Sequence, residues 1–358
     1  MRTITGMVAA VVASALSLGC AHGPMLKYNL DLPAQTMNVL NAAEVQDGRP
    51  RFREIFCSTL REHPDRKRRE CEELLHRLGD EAPAPDRPAT PAGHDTRLHL
   101  VFVPGMFNDC ARTVALPFET AVPRLRILGY QAEILPVSGR SSSSFNAARI
   151  AEFVSQLPAV DRRLVLVGHS KGAVDILEFM VVYPDLASRV VAVVSVAGAI
   201  NGSPLADAAG DLYQRSVKDT ALPGCAPGDG GAFTSLHPAQ RLNWLVANPL
   251  PQSARYFSLV AFTRSDEVSG PLQPFAAALA EIDPRNDGQL LFYDQVIPGA
   301  TLLGYANADH WGVAVPIEEK RPLLAALVTG YNRFPRDLLV EAIVLYTAEQ
   351  LATQRNAP

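Results

Sequence analysis

Two rhythms of apolar residues alternate along most of the chain. Short unbroken runs predict buried strands at Leu98–Val103, around Gln131–Val137, at Leu164–Val167, Val190–Val196 and Arg255–Phe262, and at Thr301–Tyr305. Between and after them, apolar side chains return every three or four positions. This predicts helices over Pro117–Leu128, Asn146–Leu157, Ala173–Tyr183, Pro322–Tyr331 and Asp337–Leu351. Strand–helix alternation of this kind specifies a doubly wound, mostly parallel sheet, with chemistry on the loops at the strand C-termini. Residues 25–78 show no strand signal. Arg51–Leu78 reads as two helical stretches broken near Pro64, and the Pro- and Ala-rich segment 79–96 reads as a linker. The expected organisation is a helical extension over 21–78, the linker, and one large domain over 97–358. A lid without regular strands is expected at about 205–253. In it, Phe233, Leu236, Trp244 and Leu245 either line a substrate face or pack the lid onto the body.

One junction concentrates the chemistry. The run Leu164-Val-Leu-Val167 passes through Gly168-His169-Ser170-Lys171-Gly172 directly into a helix. A serine at a strand-to-helix junction needs a very tight turn, and glycines two before and two after relieve the crowding because they have no Cβ. Such a turn lifts the Ser170 hydroxyl above the sheet at the positive end of the helix. This stretch resembles the nucleophile elbow of the α/β-hydrolase superfamily.

The resemblance implies partners for the serine in a fixed chain order, nucleophile, then acid, then histidine. Of the eight histidines, His22, His63, His76, His94 and His99 precede the elbow, His169 abuts it, and His237 lies in the lid before Pro238. His310 alone lies in a loop after a late strand, and is expected to be the base. Asp266 directly follows the Arg255–Phe262 strand and is expected to be the acid, ahead of Glu267 and Asp309. By the same resemblance, backbone N–H groups of Met106 and Lys171 would form the oxyanion hole, although Pro104 stands where the superfamily often has His. Gly202-Ser203-Pro204 resembles a turn that lipases of this superfamily carry before the lid.

Composition narrows the function classes. Hydrophobic residues make up 47% of the 358 and charged residues 20%, with a formal net charge of −4. These values describe an ordinary globular protein, and the net charge argues against a nucleic-acid binder, which would usually show a basic face. At the N-terminus Arg2, an apolar stretch from Met7 to Leu18 and Ser17-Leu-Gly-Cys20 predict a signal peptide over 1–20. The cysteine resembles the lipobox cysteine of bacterial lipoproteins, with Ser17 in place of the usual Leu. That resemblance implies lipidation of Cys20 and attachment to an envelope membrane on its periplasmic or outer side, or secretion if the lipobox is unused. Export permits disulfides. Four further cysteines allow three pairings, of which Cys57–Cys71 and Cys110–Cys225 are preferred over four free thiols. No spacing suits zinc. The resulting expectation is a lipase- or esterase-like serine hydrolase acting on a lipid or small-molecule ester without metal or cofactor. The alternatives are an acyltransferase or thioesterase using the same groups, and a non-catalytic, membrane-anchored binding protein on the same fold.

Overall fold

The computed structural model describes residues 45–64, 69–78, 81–83, 96–110, 114–158, 163–208, 227–328 and 334–353. The signal segment with Cys20, nearly all of the linker and positions 209–226 of the lid lie outside these residues. Among the described residues eight strands build one sheet: β1 (Gln46–Asp47), β2 (Leu75–His76), β3 (Leu98–Val103), β4 (Gln131–Ile134), β5 (Arg163–His169), β6 (Val190–Val196), β7 (Arg255–Phe262) and β8 (Thr301–Asn307). Their order is β1-β8-β7-β6-β5-β3-β4, all parallel, with β2 antiparallel on β8.

The continuous apolar runs are explained by helices on both faces. Leu98, Leu100 and Phe102 of β3 point to one layer, and Val101 and Val103 to the other. The first layer is covered by α1 (Arg49–Glu62) and the C-terminal helix. The second is covered by α2 (Ser143–Gln156) and α3 (Lys171–Val182). Two further helices, α4 (Pro238–Ala247) and α5 (Gln273–Ala280), lie in the connections around β7, and α6 (Arg336–Thr353) closes the chain. Each fully buried Leu, Ile, Val or Phe in these layers contributes roughly 1.5–3 kcal/mol by leaving water.

The described residues of the N-terminal segment are helical over Arg49–Glu62 and Cys71–Leu74, on either side of Pro64, and they also add two strands that the apolar pattern does not show. β1 and β2 both pair with β8, and Phe52, Ile55, Phe56, Leu60, Leu74 and Leu75 share one core with β3, β5 and α6. Two-residue strands are too short to show a period, which is why the pattern conceals them. Buried arginines lock the segment in place. Arg51 pairs with Glu349 of α6, while Arg53 donates to Glu81 and to the Leu75 and His76 carbonyls. Cys57 and Cys71 are joined by a disulfide with Cα atoms 5.4 Å apart, as the sequence suggested. Cys110 is also disulfide-bonded, and Cys225, its expected partner, lies outside the described residues. No described helix is long and apolar enough to cross a membrane.

Candidate active site

The elbow is a strained turn enforced by sterics. Ser170 has φ 56° and ψ −129°, a region that side-chain-bearing residues rarely occupy and that costs on the order of 1–3 kcal/mol. A Cβ on Gly168 would lie 2.5 Å from the Ala173 backbone, and one on Gly172 would lie 2.2 Å from the Val103 carbonyl oxygen. Gly105 belongs to the same packing problem, because a Cβ there would come within 2.6 Å of the Ser170 Cβ. Hydrogen bonds fix the turn on both sides: Ser170 donates to the Val196 carbonyl at 3.3 Å, and Ala199 donates to the Ser170 carbonyl at 3.1 Å. The Gly105-Met106 backbone thus runs directly past the serine. Lys171 is the first residue of α3, so its N–H has no acceptor within the helix.

His310 follows β8, and its ring Nδ1 lies 2.7 Å from Oδ2 of Asp287. A carboxylate only accepts, so Nδ1 carries a proton, and in the neutral imidazole Nε2 keeps its lone pair. The His310 N–H also donates to the Asp287 carbonyl at 2.8 Å, so ring and backbone are both tied to one residue. Asp287 is fully buried and heavily served. Its Oδ1 accepts from the Gln289 and Leu290 N–H groups at 2.8 and 2.7 Å, and Gln295 reaches Oδ2 at 3.4 Å. Gln295 in turn exchanges two hydrogen bonds with the Ala261 backbone, which docks the Asp287 loop onto the end of β7.

Asp266 is not brought to the histidine, contrary to the sequence expectation. It is exposed, and Arg264 holds it with two hydrogen bonds at 3.0 Å, lowering its carboxyl pKa. Glu267 accepts from Thr263 instead. The physical reason lies in the connection after β7. The chain leaves the sheet through α5, returns 21 positions after Asp266, and forms two isolated bridges that join Asn286 to Thr263 and to Leu291. Asp287 follows that first bridge, so in space it does sit at the end of β7. The only mark it leaves in the sequence is the turn-forming Asn286-Asp287-Gly288, with Gly288 at φ +89°.

Neighbouring groups secure the histidine loop. His169 donates from Nε2 to the His310 carbonyl at 3.0 Å, and burial together with repulsion from His310 pushes its pKa well below the usual value. Asp309 does not approach the His310 ring. Its carboxylate accepts from the Ser269 and Gly312 N–H groups at 2.6 Å each, while burial raises its pKa. Among the described residues no three His, Cys, Asp or Glu side chains gather as a metal site.

Ser170, His169 and His310 open into one cavity of about 520 Å³. Its walls are largely apolar, with Met106, Phe233, Leu236, Leu290, Trp311 and Ile317 prominent. Among the described residues no Lys, Arg, Asp or Glu lines it. The lid side chains divide their roles: Phe233 and Leu236 face the cavity, whereas Trp244 and Leu245 pack into the second core layer.

Strand order, elbow and flanking helices define the protein as an α/β-hydrolase. The chain is 40% identical to the metagenomic carboxyl esterase MGS0156 over 94% of its own length and 99% of that chain, with a TM-score of 0.82. It therefore belongs to that carboxyl esterase family, and is a carboxylic ester hydrolase. The mature lipase BlEst2 of Bacillus licheniformis shares the fold, at 20% identity and a TM-score of 0.51 over 67% of this chain and 95% of that one. No family model and no curated protein matches the sequence.

Proposed function

We propose that the protein hydrolyses esters through Ser170, His310 and Asp287 by way of an acyl-enzyme. The reading rests on one observation: a carboxylate-bound imidazole with a free Nε2 lines the same cavity as a serine held in a strained elbow. Ser170 Oγ bonds to the ester carbonyl carbon while its proton passes to His310 Nε2. The carbonyl π pair moves to oxygen, which the Met106 and Lys171 N–H groups receive. Collapse expels the alkoxide, which takes the proton from His310. Water then repeats the sequence and releases the acid and the free serine. Asp287 holds the tautomer and stabilises the imidazolium.

The apolar walls, without formal charge among the described residues, suit an uncharged ester whose acyl or alkyl part is hydrocarbon. A series of p-nitrophenyl esters of increasing acyl length, assayed with the protein lacking residues 1–20, tests this. Turnover that disappears in Ser170→Ala, with covalent labelling of Ser170 by a fluorophosphonate, supports the reading. Undiminished turnover in Ser170→Ala refutes it. The export reading belongs to the same proposal: the signal segment directs export, and Cys20 carries lipid on an envelope membrane. Incorporation of labelled fatty acid that is lost in Cys20→Ser checks it.

A further inference from the structure

Lys171 has a side chain that the backbone role of an oxyanion donor does not explain. Its ammonium is 1% exposed and lies 2.6 Å from Oδ1 of Asp175, one turn further along α3 and equally buried. Burying a charge pair is costly in desolvation, so the pair calls for a role beyond stability. The second oxygen of Asp175 leads away from α3. It accepts at 2.7 Å from Asn146 Nδ2, in the first turn of α2. Burial raises the Asp175 pKa, and its bonds to Lys171 and Asn146 act in the opposite direction.

Asn146 then grips the preceding loop with its remaining capacity. Nδ2 also donates to the Ser138 carbonyl at 2.9 Å, and Oδ1 accepts from the Ser138 N–H at 3.0 Å. That loop holds the Met106 side of the site. Gly139 accepts from the Phe107 N–H at 2.9 Å, and Asn108 Nδ2 bridges the Gly105 and Val137 carbonyls at 2.8 and 3.4 Å. Contact at Gly139 leaves no slack, since a Cβ there would lie 2.6 Å from the Phe107 nitrogen. Phe107 itself sits at φ 58°, a strained conformation held by these bonds.

We propose that Lys171, Asp175 and Asn146 are positioning residues that set the spacing of the two oxyanion N–H donors, an inference that rests on the function proposed above. One donor follows the nucleophile on α3. The other follows Gly105 after β3. The strand ladder joins β3 to β5 as far as Val103 and Gly168, and beyond it the side-chain relay from Lys171 through Asp175 and Asn146 to the Ser138–Gly139 loop braces the two donor segments. It acts on the tetrahedral oxygen and leaves the apolar cavity untouched. Its loss therefore weakens binding of the transition state while ground-state binding stays as it was.

Asn146→Ala cuts the relay and keeps the Lys171–Asp175 pair. With p-nitrophenyl esters, kcat is expected to fall about 10- to 100-fold, in line with misplacement of a donor, while KM stays within about 2-fold. A trifluoromethyl ketone, which forms a tetrahedral adduct with the serine, is expected to lose affinity in the same proportion. A non-hydrolysable ketone of the same chain length without fluorine serves as ground-state control and should bind unchanged. The double variant Lys171→Met with Asp175→Leu replaces the ion pair by apolar side chains and should show the same pattern; it decides the matter if Asn146→Ala does not fold. Normal kcat in a folded variant, or parallel changes in KM and in binding of both ketones, overturns the proposal. Failure of the trifluoromethyl ketone to modify the wild-type enzyme would instead refute the serine mechanism beneath it.

Discussion

Replacing Asp287 by Asn isolates the carboxylate with almost no change of shape. Oδ1 sits against two backbone N–H groups, from Gln289 and Leu290. The amide must therefore keep its oxygen there and turn its NH₂ towards His310 Nδ1, where Oδ2 now accepts at 2.7 Å. Two donors cannot face each other, so the imidazole gives up the Nδ1 proton and carries it on Nε2. That tautomer cannot take a proton from Ser170. In serine hydrolases of other folds the corresponding change lowers kcat by about 10⁴, which is about 5 kcal/mol of transition-state stabilisation. A loss of about 10³- to 10⁴-fold is expected here, with KM little changed and the far-UV circular dichroism of the wild type retained. The companion variant Asp266→Asn removes an exposed carboxylate bound to Arg264, and should leave kcat within about 2-fold. Initial rates on a short p-nitrophenyl ester at neutral pH measure both. A folded Asp287→Asn enzyme with near-normal kcat would refute the assignment, all the more if Asp266→Asn were the inactive one.

Three further outcomes follow from burial and sterics. Gly172→Ala drives a methyl group to 2.2 Å from the Val103 carbonyl oxygen, a main-chain atom that cannot swing aside, so the folded protein should be lost or destabilised by more than about 3 kcal/mol in a urea melt. Asp294 is fully buried, and burial pushes its carboxyl pKa up to about 7 from the ordinary 3.8. A raised acid favours the fold below its unfolded pKa and loses that contribution as pH rises through 7. Asp294→Asn, which stays neutral, should therefore stabilise the protein by about 2 kcal/mol more at pH 8 than at pH 5, and equal effects at both pH values would contradict the burial argument. Reduction of Cys57–Cys71, a loop with a sequence separation of 14, should cost about 3 kcal/mol and lower the melting temperature without altering the cavity.

Elements with long, unbroken patterns were legible from the residues alone. β3, β6 and β7 have the limits that their apolar runs predict, and Pro322 opens its helix at the first position. The pattern was silent where an element is defined by its partner. β1 and β2 are two residues each and exist because β8 has an open edge, which no local period can express. Residues 45–78 therefore read as an appendage, yet their aromatic side chains complete the core: Phe56 stacks on Phe334 with centroids 6.3 Å apart, and Phe52 meets Tyr346 edge-on.

The same distinction runs through the site. Ser170 and His310 are set by local rules, a crowded turn with two obligatory glycines and a loop just beyond a strand. The proposed acid follows a spatial rule, that it lie at the end of β7, and Asp287 meets that rule 21 positions later than Asp266, the nearest carboxylate in sequence. Asp266 satisfies the order but points to solvent and Arg264. Asp287 satisfies the geometry because Gln295 pairs with the Ala261 backbone and carries the returning loop onto β7. What distinguishes the two carboxylates is donor supply. A buried carboxylate needs hydrogen-bond donors in place of water, and Asp287 accepts from two backbone N–H groups, an amide and the imidazole. A carboxylate so provided can hold a neighbouring imidazolium during turnover, whereas one neutralised by its own arginine in water has little field left to give.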